Sequence, residues 1–189
     1  MAVEIEAKMK VENLEPVREK LREVGGKRLK KVLEDNTFFD KDDRSLLASD
    51  EGLRLRKSRN DETGEILIMI THKGPRQRGM LKSRHEVEVP VGEWESAIEL
   101  FEKLGFGVVL SFEKRRETWA LDRCKVELDE VPYLGTFIEI EGPAEADVLR
   151  VRSLLGMGER GIVKASYAAL LGDYVQERGL GIKIVKFEA

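Results

Sequence analysis

In an extended chain alternate side chains share a face, so Glu4, Glu6 and Lys8 of Glu4-Ile-Glu-Ala-Lys8 stand together, opposite Val3, Ile5, Ala7 and Met9. Two carboxylates about 6.6 Å apart repel by about 2.5 kcal/mol at an effective dielectric of 20, so a half-buried pair needs cations. A divalent metal or a basic neighbour is expected. From this segment alone, the solvated face of an amphipathic strand reads the same way.

The rest of the chain repeats the pattern. Arg54 and Arg56 oppose Leu53 and Leu55, and Lys73 lies opposite Ile66, Ile68 and Ile70. Lys82, Arg84, Glu86 and Glu88 alternate with Val87, Val89 and Val91, and Lys114 and Arg116 share one side of a long strand. Lys125, Glu127 and Asp129 form another row, as do Glu139 and Glu141 opposite Ile138 and Ile140. A merely solvated face usually mixes in Ser, Thr, Asn and Gln. These positions are fully charged, which favours a closed barrel with a charged lumen over an open sheet with its polar face in water. Lysines and arginines converging on one volume suit an oligophosphate, because the guanidinium fork matches phosphate oxygens. Clustered carboxylates suit Mg²⁺ or Mn²⁺ through hard oxygen ligands. A metal-bound polyphosphate satisfies both.

The elements that must position these rows can be placed from periodicity. Asn13 can cap a helix carrying Leu14, Val17, Leu21 and Val24 until Gly25-Gly26 stops it. Residues 27 to 40 read as a strand, and further strands open at Gly52, Glu65, Leu81 and Phe106, the last running to Asp122. Lys73-Gly-Pro-Arg76 begins a basic loop, and Trp94, Ala97, Ile98, Phe101 and Leu104 mark a second helix. Gly142-Pro143 opens a third helix through Leu155, and a last helix covers about 164 to 178. The tail from Leu180 to Phe187 reads as a short strand or an ordered arm. The class is α+β: about eight antiparallel strands with helices packed outside.

With 189 residues and 41% hydrophobic content the prior is one domain with a real core. Its 33 Lys plus Arg nearly cancel 36 Asp plus Glu, so the chain lacks the basic excess of a typical nucleic-acid binder. Cys124 is the single cysteine, and no signal-like or spanning apolar run is visible, which leads to the expectation of a cytoplasmic protein without a membrane partner. Gly156-Met-Gly-Glu-Arg-Gly161 has dinucleotide-binding spacing but follows a helical pattern where that mechanism needs a strand, so it reads as an interhelix loop. His72 and His85 have no second His or Cys at ligand spacing and read as structural or surface residues; Ser166 has no suitable triad partner.

The ordered set Glu4-Ile-Glu-Ala-Lys8, Phe39-Asp40, Leu53-Arg-Leu-Arg56, Thr71-His-Lys-Gly74, Arg84-His-Glu-Val-Glu88, Lys114-Arg-Arg116, Glu127-Leu-Asp129, Phe137-Ile-Glu-Ile-Glu141 and Ser166-Tyr167 resembles the CYTH superfamily, the triphosphate tunnel metalloenzymes. The likeness spans residues 1–172; residues 173–189 would be the end of the last helix and a tail. It implies a closed eight-stranded antiparallel barrel. It also implies metal-side residues Glu4, Glu6, Asp129, Glu139 and Glu141, and a triphosphate clamp of Lys8, Arg54, Arg56, Lys73, Lys114 and Arg116. Glu6, Lys8, Lys114 and Arg116 are then the expected catalytic set, with Lys82, Arg84, Glu86, Glu88, Lys125 and Glu127 lining the tunnel. The implied substrate is ATP, thiamine triphosphate or tripolyphosphate, with Mg²⁺ or Mn²⁺ as cofactor. Class IV adenylate cyclases stand slightly ahead of the thiamine or inorganic triphosphatases, and a non-catalytic polyphosphate-binding module is the further alternative. A homodimer is compatible with the family.

Overall fold

The computed structural model describes residues 2–77, 79 and 81–188, the side chains of residues 2–4 excepted. Eight strands form the frame: β1 (Ala2–Val11), β2 (Lys27–Asp40), β3 (Gly52–Asn60), β4 (Ile66–Lys73), β5 (Lys82–Val91), β6 (Gly107–Leu121), β7 (Cys124–Val131) and β8 (Gly135–Gly142). Their spatial order is β2-β3-β4-β5-β1-β8-β7-β6, and a β2–β6 ladder closes the ring. All eight pairings are antiparallel. Closure leaves no ring strand with an unpaired edge and gives every strand an inner and an outer face.

The apolar core lies outside the ring, beneath helices. Ala7 and Met9 of β1, Val126 and Leu128 of β7, and Ile138 and Ile140 of β8 are buried against Val17 and Leu21 of α1 (Glu15–Glu23) and Val148 and Val151 of α4 (Glu145–Leu154). Phe39 and Leu55 pack under Ala97 and Phe101 of α3 (Trp94–Lys103), with the rings of Phe39 and Phe101 edge-on at 4.9 Å. Gly142 is required where β8 passes below α4: a Cβ there would stand 2.7 Å from Cys124 Sγ and 3.1 Å from Val148 Cγ2. Because helices cover the apolar faces, the charged rows are left to point inward.

Some local features differ from expectation. Asn13 does not cap α1; its Oδ1 accepts the Glu15 N–H at 2.9 Å one residue early, and Leu14 takes the cap position without a side-chain bond. A four-residue helix, α2 (Ser45–Ala48), occupies the polar β2–β3 connection, whose Asp40 carboxylate accepts the N–H groups of Lys41, Leu46 and Leu47. The last helix, α5, is shorter than its periodicity suggested, Tyr167–Glu177, and its N-terminus is capped by Ser166 Oγ. Beyond it β9 (Ile184–Val185) pairs parallel to β6. The 156–161 segment is a connector between α4 and α5. Among the described residues no helix is long and apolar enough to cross a membrane.

Candidate active site in the barrel lumen

The ladders put the lumen-facing residues into rings. Glu6 stands directly opposite Glu141 on one side and Lys82 on the other; Lys8 opposes Glu139, and Glu139 opposes Glu127. Arg116 opposes Asp129, Glu34 opposes Lys114, Arg54 opposes Thr71, and Thr71 opposes Glu88. Directly opposed residues have Cβ atoms about 4.5–5.5 Å apart, so Glu6–Glu141 and Glu127–Glu139 are like-charge pairs that need countercharge. The rings enclose a cavity of about 980 Å³.

On the acidic side one guanidinium serves three carboxylates. Arg116 donates through Nε to Asp129 Oδ1 at 2.7 Å and through Nη2 to Asp129 Oδ2 at 2.6 Å, and it also contacts Glu139 and Glu127. Asp129 is fully buried, and its Oδ2 accepts the Tyr167 hydroxyl at 2.8 Å, with Lys114 Nζ 3.6 Å away. Lys8 Nζ lies 3.4 Å from Glu139, donates to the Ala165 carbonyl at 2.8 Å and sits 4.1 Å from the centre of the Tyr167 ring. Lys114 Nζ reaches Glu34 at 3.2 Å and faces the same ring at 5.4 Å. Tyr167 reaches this position because α5 fills part of one barrel end, packing Tyr167 and Leu171 against Leu110, Phe112, Val131 and Phe137. Those four stand two or four residues along their strands from Lys114, Asp129 and Glu139 and therefore share the lumen face.

On the basic side Arg54 donates to Thr71 Oγ1 at 3.1 Å and lies 3.5 Å from Glu88; Arg56 lies 3.3 Å from Glu88 and 3.9 Å from Glu34. Lys73 contacts Glu86, Lys82 contacts Glu6 at 2.5 Å, and Lys125 stands 3.5 Å from Glu141 near the rim. The Nε atoms of Arg54, Arg56 and Arg84 are buried and have no acceptor among the described residues. A buried donor left unpaired costs about 1–3 kcal/mol. Thr118 Oγ1 and Arg152 Nε are buried without a partner among the described residues as well, while Arg54, Arg56 and Arg84 all border the cavity.

Burial works against every charge here, and the neighbours decide the outcome. Burial would raise Glu139 and Glu34, but Lys8, Arg116 and Lys114 outweigh it for Glu139, and Lys114, Arg116 and Arg56 for Glu34; both carboxyls are held well below the usual range. Burial pulls the Lys8 ammonium down despite Glu139. Burial also lowers Arg54 to about 10, with Arg56 adding repulsion. Glu127 goes the other way, up to about 7, because burial and the charges of Asp129 and Glu139 outweigh a guanidinium that it shares with them.

Glu127 makes a pH prediction. Its folded-state pKa exceeds the ordinary 4.5, so the folded protein holds a proton the unfolded chain releases, and stability falls as pH rises from about 4.5 to about 7. The depressed acids Glu34 and Glu139 act in a separate, more acidic window, losing their contribution as pH falls below the ordinary range. In denaturant titrations with EDTA at several pH values, Glu127→Gln should flatten the decline between about 4.5 and 7. Parallel curves for the two proteins would reject the assignment.

The sequence-derived rows converge: Glu6, Lys8, Arg54, Arg56, Lys73, Lys82, Arg84, Glu86, Glu88, Lys114, Arg116, Lys125, Glu127, Glu139 and Glu141 all border the cavity, and Asp129 lies behind Arg116. The side chain of Glu4 lies outside the described residues; its backbone pairs with Arg84. Sequence reasoning missed Glu34, Thr71 and the inward role of Tyr167. Among the described residues no three carboxylate, imidazole or thiol groups form a ready-made metal cage. The opposed acid pairs are nonetheless hard-oxygen donors, the ligand type that suits Mg²⁺ or Mn²⁺. His72 lies half-buried 3.6 Å from Glu51, away from this donor set.

Comparison with known proteins agrees with the geometry. The CYTH domain family matches residues 2–152. The Methanocaldococcus jannaschii protein named "Putative adenylate cyclase MJ0240" is 30% identical over 179 residues, covering 90% of this chain and 99% of the relative. The structure of the PH1819 protein of Pyrococcus horikoshii superposes with a TM-score of 0.79 at 30% identity, over 90% of this chain and 99% of that one. The Hippeastrum protein "Putative adenylyl cyclase HpAC1", described as having a dominant triphosphatase activity, shares the fold with a TM-score of 0.68 at 20% identity, over 92% of this chain and 96% of that one.

Proposed function

Since the chain belongs to the CYTH domain family, we propose that it is a divalent-metal-dependent enzyme acting on a triphosphate held in the lumen, with ATP cyclisation to cyclic AMP and pyrophosphate as its reaction. The observation that carries this reading is the gathering of Lys8, Arg54, Arg56, Lys73, Lys114 and Arg116 with Glu6, Glu139 and Glu141 around one cavity. Phosphate oxygens would suit the guanidinium and ammonium groups, and the carboxylates would suit a cation bound with them.

Arg54, Arg56 and Lys73 would grip the phosphates, and Lys8 and Lys114, steadied over the Tyr167 ring, would add positive charge beside them. Glu6, Glu139 and Glu141 would hold Mg²⁺ or Mn²⁺, which when bound neutralises charge developing on the phosphate oxygens. Asp129 has both oxygens engaged by Arg116 and one by Tyr167, so its part is to fix Arg116, which in turn restrains Glu139. In cyclisation the ribose 3′-hydroxyl oxygen bonds to the α-phosphorus as the bond to the β-phosphate oxygen breaks; pyrophosphate leaves and the hydroxyl proton is released.

A nucleoside is favoured over bare tripolyphosphate because the cavity turns apolar toward α5. Phe38 and Phe112 stack at 5.8 Å there, beside Leu110, Val175 and Ile182. The relative named for adenylate cyclase points the same way. Incubation with ATP, thiamine triphosphate and tripolyphosphate, each with Mg²⁺, Mn²⁺ or EDTA, tests the reading. Cyclic AMP with equimolar pyrophosphate, absent with EDTA, is the expected result. Orthophosphate without cyclic AMP would make the protein a triphosphatase, and binding without turnover of any substrate would reduce it to a polyphosphate-binding module.

A further inference from the structure

Resting on the triphosphate reading, we propose that Asp50 is a built-in stand-in for the substrate anion at the tunnel mouth, occupying an arginine seat that a phosphate must take from it. The seat is made by Arg76 and Arg84. Arg76 donates its backbone N–H to Asp50 Oδ2 at 2.8 Å and its Nε to both carboxylate oxygens at 2.9 Å; Arg84 Nη2 lies 3.7 Å from Oδ1. This is how a phosphate would be met: a backbone amide, one guanidinium engaging two oxygens and a second guanidinium behind. All three residues border the cavity, and Arg84, on β5, keeps an Nε buried without an acceptor even while Asp50 is in place.

Local backbone geometry aims the carboxylate. Asp50 follows α2 with φ 55°; its N–H bonds the Leu47 carbonyl, and the Glu51 N–H bonds that of Leu46. That left-handed helix stop usually carries Gly, sometimes Asn. Here it carries a residue whose short side chain turns back onto the mouth arginines. Burial pushes its carboxyl upward, yet the bonds from Arg76 hold it below the usual range, so it is an anion at neutral pH. Its ion pairs are partly exposed and hence weak, which makes them exchangeable.

Asp50→Asn is the informative variant, because Asn tolerates positive φ and keeps the turn while losing the charge. Calorimetric titration with tripolyphosphate should show a Kd about two- to five-fold lower for Asp50→Asn than for the wild type, the range of one partly exposed ion pair. Adding Arg76→Gln should abolish that gain, and circular dichroism melts would confirm that all variants fold. Equal Kd values for wild type and Asp50→Asn, or weaker binding by the variant, would overturn the stand-in while leaving the tunnel reading intact. Binding by the variant alone would support the stand-in as a full block. Binding by neither protein would overturn both.

Discussion

Replacing Arg116 with leucine is expected to cost about 3–5 kcal/mol of folding stability, the range found when one partner of a buried ion pair is removed. The guanidinium is buried and is the direct partner of Asp129, Glu139 and Glu127 together. Burial would lower its pKa, yet those three acids raise it well above its usual value, so they depend on a charge that stays on at every accessible pH. Leucine would leave Asp129, fully buried, with Tyr167 and a lysine at 3.6 Å. For a chain of this size the loss corresponds to a melting temperature lower by roughly 10 °C. The deficit should shrink as pH falls, because protonating the stranded acids removes the uncompensated charge. A differential scanning measurement at pH 7.5 and pH 5.5 checks both points; a melting temperature within about 2 °C of wild type would mean that Arg116 is not the centre of the acidic half.

How much of this was legible without the structure depends on how cleanly each strand alternates. Where charged and apolar residues strictly interchange, as in Glu4 to Met9 or Ile138 to Glu141, the inward row followed from the period of two. The β2 strand defeated that logic at Glu34-Asp35, two adjacent acids that give neither face priority, so the buried partner of Lys114 went unseen. Thr71 was missed because a neutral hydroxyl carries no charge signal, although it sits between Arg54 and Glu88. Tyr167 is a different case. Its apolar ring reads as helix packing, and its bond to Asp129 exists only because α5 enters one barrel end, a long-range placement that local periodicity does not encode. The register does the rest: which acids stand opposite one another follows from the ring's pairing, so the shared guanidinium and the carboxylates gathered around Glu127 became visible only with all eight ladders in place.

The basic half makes the second large prediction, and there stability and function should move in opposite directions. Arg54 is deep in the lumen, its side chain 11% exposed, and it carries a buried Nε without an acceptor and a repelling neighbour, Arg56. Arg54→Met removes the orphaned donor, worth about 1–3 kcal/mol, at the expense of one hydrogen bond to Thr71 and a long contact to Glu88, of about 0.5–1.5 kcal/mol for a typical bond. Thr71 stays satisfied, because its hydroxyl already donates to Glu88 at 2.8 Å. The variant should therefore melt at or slightly above the wild-type temperature. Tripolyphosphate binding should nevertheless weaken by about 10- to 150-fold, the equivalent of about 1.5–3 kcal/mol for a charge-assisted contact. Arg56→Met should behave similarly with a smaller gain in stability, since Arg56 also faces Glu34, whose depressed pKa depends partly on it. Calorimetric titration and thermal denaturation of the same two preparations measure both quantities. A variant that lost stability and kept its affinity would show the lumen arginines to be structural, with their Nε atoms satisfied by water; one that kept stability and lost affinity would identify them as groups held unpaired for a ligand.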